Sequence, residues 1–343
     1  MAQPRVLVLG AGVTGLSAAL YLDARSCPVT VLESGGQLGG RAARYACKAT
    51  DRCLSCGACL ASDLVEAIKT SRVMVHLDTC LEGLEQSPPG WTATYHQDGG
   101  RTSQVAVESV LVATGMEPFD AARLPALGYG RLPGVVGAAQ LEEQLRSQGN
   151  FTVNGELPRR VGFVQCAGSR NLQLGAGYCS EVCCKYGLRL ALALMSGQPG
   201  TEITMFYMDL QTHGRGFDAV YHQAAERVRL VAGIPTEVKA HPGGGLTVKY
   251  EDTWENQVRY AQLDALVLSQ GIRPGRDTAR LSAQLGLNCN AGGFFAAGPS
   301  GATARPGLYV AGTARGPAGI AQCVAQGRAA AAEIAAMLEV DEL

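Results

Sequence analysis

Twelve cysteines stand in a chain of 343 residues, and most fall into two sets whose spacing could do chemistry. Cys166, Cys179, Cys183 and Cys184 form the first set: Cys166 closes an apolar run, Cys179 and Cys183 are four apart and expected to share a face at the start of a helix running to about Met195, and Cys184 lies beside them. Four thiolates are the donor set that a 4Fe-4S cluster needs, although adjacent cysteines are not the ferredoxin pattern. A redox-active vicinal pair and buried structural thiols are the alternatives. Cys53, Cys56 and Cys59 follow the spacing C-x-x-C-x-x-C, with Cys47 upstream as a fourth donor. That spacing can place three thiolates on one cluster, but the usual fourth cysteine followed by proline is missing. Four thiolates equally suit a tetrahedral zinc site. Cys27, Cys80, Cys289 and Cys323 are isolated and read as packing. None of the five histidines pairs with Asp and Ser or Cys at a catalytic spacing, and His213 alone lies near a motif.

A second kind of chemistry is written in glycines. Val6 to Leu9 leads into Gly10-Ala-Gly12-Val-Thr-Gly15, then an alanine- and leucine-rich stretch to about Arg25, then Val29 to Glu33. This reads as strand, glycine turn, helix, strand. Gly10 permits the tight turn, Gly12 lets backbone approach a pyrophosphate at the helix N-terminus, and Gly15 lets helix and strand pack closely. Glu33 ends the second strand, where an acid can accept from a ribose hydroxyl. A glycine-rich structural turn is the bland alternative, and the strand-turn-helix context favours dinucleotide binding. A flavin in the same chain would give an iron-sulphur cluster something to exchange electrons with.

The elements that must position these residues come in two similar halves. Ser109 to Val112, followed by Ala113-Thr114-Gly115 and Pro118, is a buried strand ending in a small flexible turn. Ala265 to Gln270, followed by Gly271 and Pro274, repeats that layout, and Arg160 to Gly168 mirrors the opening strand and turn. The chain reads as a degenerate duplication with one Rossmann-like half from the N-terminus and another from about 158 to 278. Gly307 to Thr313 supplies a further strand and turn, and a helix from about Ile320 to Leu338 returns to complete the first half.

Composition bounds the rest. Lys plus Arg number 29 against 30 Asp plus Glu, a net charge of −1 that gives no reason to propose nucleic acid or an anionic membrane as a partner. The opening apolar run is too short for a signal or a membrane span, and no later segment reaches spanning length unbroken. A cytoplasmic location is expected, where cysteines serve as metal ligands or redox groups more readily than as disulfides.

The layout resembles the two-dinucleotide-fold flavoproteins of the thioredoxin reductase kind over nearly the whole chain. The resemblance implies an α/β fold of two Rossmann-like domains. The first, 1–150 with 285–343, binds FAD, and the second, 155–280, corresponds to the NAD(P)H domain. It implies FAD contacts at Gly10, Gly12, Thr14, Gly15, Glu33, Ser34, Gly39, Gly40, Arg41, Ala113, Thr114, Gly115, Gly312, Thr313, Ile320 and Ala321. Gly312-Thr313 departs from that family's Gly-Asp, and a hydroxyl there can still bond a ribityl or pyrophosphate oxygen. The second half carries Gln165-Cys166-Ala167-Gly168 where a nicotinamide site would need a glycine turn, so a pyridine nucleotide is not the expected electron donor.

Val164 to Arg170, followed by Gly177-Tyr-Cys179-Ser-Glu-Val-Cys183-Cys184-Lys-Tyr186, closely resembles the A subunit of heterodisulfide reductase. So do Ala113 to Asp120 with Gly128-Tyr-Gly130, Tyr207 to Asp209 with Gly214 to Phe217, and Gly316-Pro317 with Val324 to Gly327. The resemblance implies that Cys166, Cys179, Cys183 and Cys184 bind a 4Fe-4S cluster near the flavin. It also implies that the helix from Ile320 points its first amides at the flavin pyrimidine. The methanogen proteins are longer and carry ferredoxin modules, and the chain is similar to the A subunit of the bacterial sulphur-oxidising heterodisulfide-reductase-like complex. Electron relay between FAD and the cluster, with other subunits of such a complex as partners and a homodimer as the assembly, is the expectation. A free-standing NAD(P)H-dependent flavoenzyme, the A subunit of a quinone-interacting complex and a zinc-bearing scaffold are the competing readings.

Overall fold

The computed structural model describes residues 5–46, 57–97, 100–211 and 217–340. Cys47, Cys53, Cys56, His213 and Gly214 to Gly216 lie outside these residues. The described chain gathers into two compact units, one of 1–43, 57–117 and 273–343, the other of 44–56 and 118–272.

Val6–Leu9 is the central strand of the first unit's five-stranded parallel sheet. It pairs with Val29–Leu32 on one side and Ser109–Val112 on the other, and Met74–His76 and Leu308–Val310 form the edges. Every residue of Val6–Leu9 and Ser109–Val112 is buried. A parallel sheet covered on both faces requires this, and it explains why these segments read as unbroken apolar runs without alternation. Small residues bring helix Val13–Asp23 and helix Ile320–Met337 together: a Cβ on Gly327 would stand 2.4 Å from the Thr14 carbonyl oxygen. The antiparallel strands Thr79–Ser87, Gly90–Gln97 and Arg101–Val107 form a separate three-stranded sheet.

The second unit repeats the plan. Arg160–Ala167 is central, flanked by Glu202–Tyr207 and then Val228–Ala232 on one side, and by Ala265–Gln270 and then Val135–Gly137 on the other, all parallel. Pro235–Ala240, Leu246–Asp252 and Gln257–Leu263 form its antiparallel sheet. The fold is the α/β, doubly Rossmann-like arrangement the sequence pointed to.

The boundaries differ from the sequence-based expectation. Val135–Gly137 hydrogen-bonds to Ala265–Gln270, so it and helix Ala138–Gln148 group with the second unit, although the sequence grouped residues up to 150 with the first. A three-residue strand has no hydrophobic period of its own, and only pairing decides its sheet. Residues 273–280, grouped by the sequence with the second half, fall in the first unit, which holds the whole of helix Thr278–Leu285. Among the described residues no helix is long and apolar enough to cross a membrane.

Candidate functional site

Two of the three fingerprint glycines are required by the protein's own packing. Gly10 has φ +105 and a Cβ there would stand 2.5 Å from the Ala113 carbonyl oxygen, while a Cβ on Gly15 would stand 1.9 Å from that of Gly10. Gly12 has no such reason: its φ is −75 and nothing lies within 4 Å of where a Cβ would be. The open space is at the N-terminus of helix Val13–Asp23, which no side chain caps. Unpaired amides and the positive end of the helix dipole favour an anion there.

Glu33 is held at both oxygens, accepting from Ala11 N at 2.8 Å and Gly35 N at 2.8 Å. Each oxygen keeps a second lone pair, so the fixed carboxylate can still accept from a hydroxyl. Gly39 N donates to Ala11 O at 2.8 Å and tucks the Gly39–Gly40 turn against the fingerprint. Arg41 donates to Met116 O at 3.0 Å and pairs with Glu117, beside the Ala113-Thr114-Gly115 turn.

A cavity of about 240 Å³ is lined by Gly10, Glu33, Ser34 and Thr114, together with Thr79, Cys80 and Thr278. Thr114 Oγ1 and Thr278 Oγ1, both on this cavity, are buried with no hydrogen-bond partner. A buried hydroxyl left unpaired costs about 1–3 kcal/mol, a cost that a ligand's polar atom reaching either group would relieve. The sequence read 271–275 only as the echo of an earlier turn, and Thr278 was missed because nothing local distinguishes it from a helix-starting threonine.

Gly312 closes the cradle from the C-terminal side. It has φ +69, and a Cβ would come 2.1 Å from Thr14 Oγ1. Its amide donates to Gln326 Oε1 at 3.0 Å. Thr313 follows it, half-buried, in the turn Gly312–Ala314. Ile320 and Ala321 begin the last helix, where Gly319 N donates to Gln322 Oε1 at 2.7 Å.

In the second unit the central strand ends irregularly. Its pairing with Ala265–Gln270 shifts register between Val164 and Ala167, and Cys166 takes φ +58. Such a conformation costs a non-glycine residue roughly 1–3 kcal/mol and persists where the surroundings enforce it. Gly168, at φ +80, faces Phe119 so closely that a Cβ would stand 2.0 Å from the ring. The chain then turns back, with Arg170 N bonding Tyr178 O at 3.0 Å, and brings Cys179 round.

The expected helix over Cys179 to about Met195 starts later, at Cys183, and runs to Gly197. Ser180 is fully buried and accepts from Ile272 N at 2.8 Å, and Glu181 has φ +59, so the chain cannot be helical there. Cys179 and Cys183 therefore share no helical face, which corrects the sequence reading. Cys179 is half-buried, and its sulphur accepts from Glu181 N at 3.3 Å.

Cys166, Cys183 and Cys184 are buried and their thiols interact in pairs. The hydrogen bond from Cys183, reinforced by the Arg170 guanidinium and opposed by burial, lowers Cys166 to about 7. Cys184 is lowered by the same neighbour, and Cys183 itself is pushed far up as the shared proton donor. Cys179 is raised, mainly by burial. Arg170, in turn, is paired with Asp209. Two acidified sulphurs, a third beside them and a fourth at the rim make a soft, electron-rich donor set. Among the described residues no three side chains stand where they could hold a single metal ion.

Of the second cysteine set, only Cys59 is described, exposed on the first turn of Ala58–Lys69. Cys27 and Cys323 are buried, as expected for packing, but Cys80 and Cys289 are exposed. Their isolation in sequence carried no information on burial.

Fold and cradle together define a flavoprotein oxidoreductase. A profile of the pyridine nucleotide-disulphide oxidoreductase family matches residues 4–329, and the chain belongs to that family. Its curated relatives are heterodisulfide reductase A subunits. The A subunit of the H(2):CoB-CoM heterodisulfide,ferredoxin reductase of Methanothermobacter thermautotrophicus is 34% identical over 255 residues, 71% of this chain and 39% of that protein. The iron-sulfur A subunit of the CoB–CoM heterodisulfide reductase of Methanocaldococcus jannaschii is 31% identical over 274 residues, covering 76% and 42%. The chain thus spans about two fifths of the length of these relatives. Among solved structures, thioredoxin reductase of Lactococcus lactis superposes with a TM-score of 0.67 at 16% identity over 98% of this chain and 99% of that one. That of T. acidophilum gives 0.64 at 18% identity, covering 98% and 99%. At such identities these two likenesses speak for the fold alone.

Proposed function

We propose that the chain is an electron-transfer subunit that binds FAD in its first unit and a 4Fe-4S cluster on Cys166, Cys179, Cys183 and Cys184 in its second. Its setting would be a heterodisulfide-reductase-like complex of sulphur metabolism, with other subunits as partners, a homodimeric core and a cytoplasmic location. The observation that carries the reading is the pair of unpartnered buried hydroxyls, Thr114 and Thr278, on a cavity beside Glu33. In the second unit, the support is a cluster of cysteines, the Cys166 and Cys184 thiols lowered by their neighbour Cys183, at the carboxyl end of a parallel sheet, where this kind of fold binds its ligand. The donor set Cys47, Cys53, Cys56 and Cys59 is the second candidate, mostly outside the described residues.

When bound, a flavin and a cluster supply two-electron and one-electron exchange. The residues supply the rest. The first amides of Val13–Asp23 would meet the pyrophosphate charge, Glu33 would accept from the ribose, and Thr114 and Thr278 would donate to the ligand's polar atoms. The Gly312-Thr313 turn packs against Thr14, beside the open helix end. Arg170, beside Cys166, offsets the negative charge that four thiolates bring.

Flavin, iron and acid-labile sulphide per chain, measured after anaerobic purification, test the proposal, with Cys183→Ser and Cys56→Ser as companions. Iron and sulphide lost in Cys183→Ser and kept in Cys56→Ser is the expected result. Protein free of iron and sulphide, or flavin bleached rapidly by NADPH in stopped flow, overturns it.

A further inference from the structure

Within the second unit lies an ion pair that the proposed chemistry does not use. Arg189 and Glu142 are 2% and 3% exposed and pair directly. A buried pair of this kind adds little net stability over apolar residues of similar volume, because both charges must be stripped of water. Its presence needs another reason, and the geometry gives one. Glu142 Oε1 accepts from Ala46 N at 2.6 Å, and Arg189 Nη1 donates to Ala46 O at 2.9 Å. Both backbone polar groups of one residue are thus taken by the two partners of one ion pair. In a sheet, neighbouring strands would do this. Ala46 belongs to no strand, and its buried backbone groups need partners from elsewhere.

The neighbours reinforce the grip. Tyr45 packs on Tyr186 with ring centroids 5.2 Å apart, and the Arg189 guanidinium stands 5.1 Å and 5.2 Å from those two rings. Tyr186 and Arg189 lie on helix Cys183–Gly197, one and two turns beyond Cys183. The residue after Ala46 is Cys47, the first of the second cysteine set.

We propose that the Arg189–Glu142 pair is a positioning clamp that pins the entrance of the cysteine-bearing stretch to the helix opening with Cys183 and Cys184. The charged pair has a use that apolar side chains lack: they could fill its volume but could not hold Ala46. The purpose given to the clamp rests on the proposed function. Its existence does not.

Hydrogen exchange of the full chain tests it, in the wild type and in Arg189→Met with Glu142→Leu, a double variant that leaves no lone buried charge. The expected result is a melting temperature within a few degrees of wild type, with exchange at Tyr45 and Ala46 faster by at least ~10-fold as the clamp's local protection is lost. Unchanged exchange at these amides in a folded double variant overturns the proposal. If that variant does not fold, Glu142→Met is used, which removes the acceptor of the Ala46 amide; faster exchange confined to residues 44–46 supports the clamp and unchanged exchange overturns it. Since the readout involves no iron, protein that binds none but shows the local loss keeps the clamp and loses the proposed function. Iron bound with Ala46 unaffected is the converse.

Discussion

Replacing Thr114 by valine separates the free chain from the flavin-loaded one by sign. Thr114 Oγ1 is buried and has no partner in the protein. Keeping an unpaired hydroxyl from water costs about 1–3 kcal/mol, and an apolar group of the same shape removes that cost. Flavin-stripped Thr114→Val should therefore be more stable than stripped wild type, by about 1 kcal/mol or more. With flavin present the balance reverses, because the ligand atom that took the hydroxyl now faces a methyl group. The same range of about 1–3 kcal/mol corresponds to flavin binding weaker by roughly 5- to 150-fold. Urea unfolding of the stripped proteins gives the first quantity, and titration of flavin fluorescence the second. A stripped variant less stable than wild type, or one that binds flavin unchanged, refutes the assignment of this hydroxyl to the ligand. Thr278→Val should behave alike, since its hydroxyl is buried and unpartnered on the same cavity.

Other perturbations follow from the same geometry. Gly312→Ala combines a left-handed backbone with a Cβ 2.1 Å from Thr14 Oγ1, so purified protein should carry less than about a tenth of the wild-type flavin, given a combined strain and overpacking cost of about 2–5 kcal/mol; full flavin absorbance would contradict this. Gly168→Ala, with its Cβ 2.0 Å from the Phe119 ring, should lower stability by about 2–5 kcal/mol. Adding Phe119→Ala should recover none of the backbone strain but relieve the clash, so a double variant no less destabilised than the sum of the singles counts against it. Burial, helped by the Glu108 charge, pushes Cys27 from 9.0 up to about 11. The protonated thiol is thus favoured by folding, and the stability difference between wild type and Cys27→Ala should be constant below about 9 and shrink as pH rises to about 11. A difference independent of pH across that window, measured by chemical denaturation, would show that the thiol does not titrate as its burial requires.

Much of the site was legible because its constraints are local. Gly15 is a glycine because of the Gly10 carbonyl five residues before it, the strand-turn-helix order around Gly10 is read within a dozen residues, and the Ala113-Thr114-Gly115 turn follows its strand directly; only the clash at Gly10, with Ala113, comes from far along the chain. The cysteine cluster was legible as residue types, but the helix start was not. Ser180 bonds to Ile272, far away in sequence, and that contact holds the chain out of the helical region until Cys183. Local propensity contains no trace of such a bond.

The sequence by itself determined the periodic and covalently local features: two runs of strand and glycine turn, the acid at the end of the second strand, and the spacing of the cysteines. Short-range sterics and continuous apolar burial leave those few choices. The tertiary structure alone decided that Val135–Gly137 edges the second sheet, that Ser180 bonds to Ile272 and holds the chain out of the helix until Cys183, and that Arg189 and Glu142 close on Ala46. Each depends on hydrogen bonds between residues distant along the chain. A buried polar group must find a partner somewhere, but its own neighbourhood in sequence does not say which one.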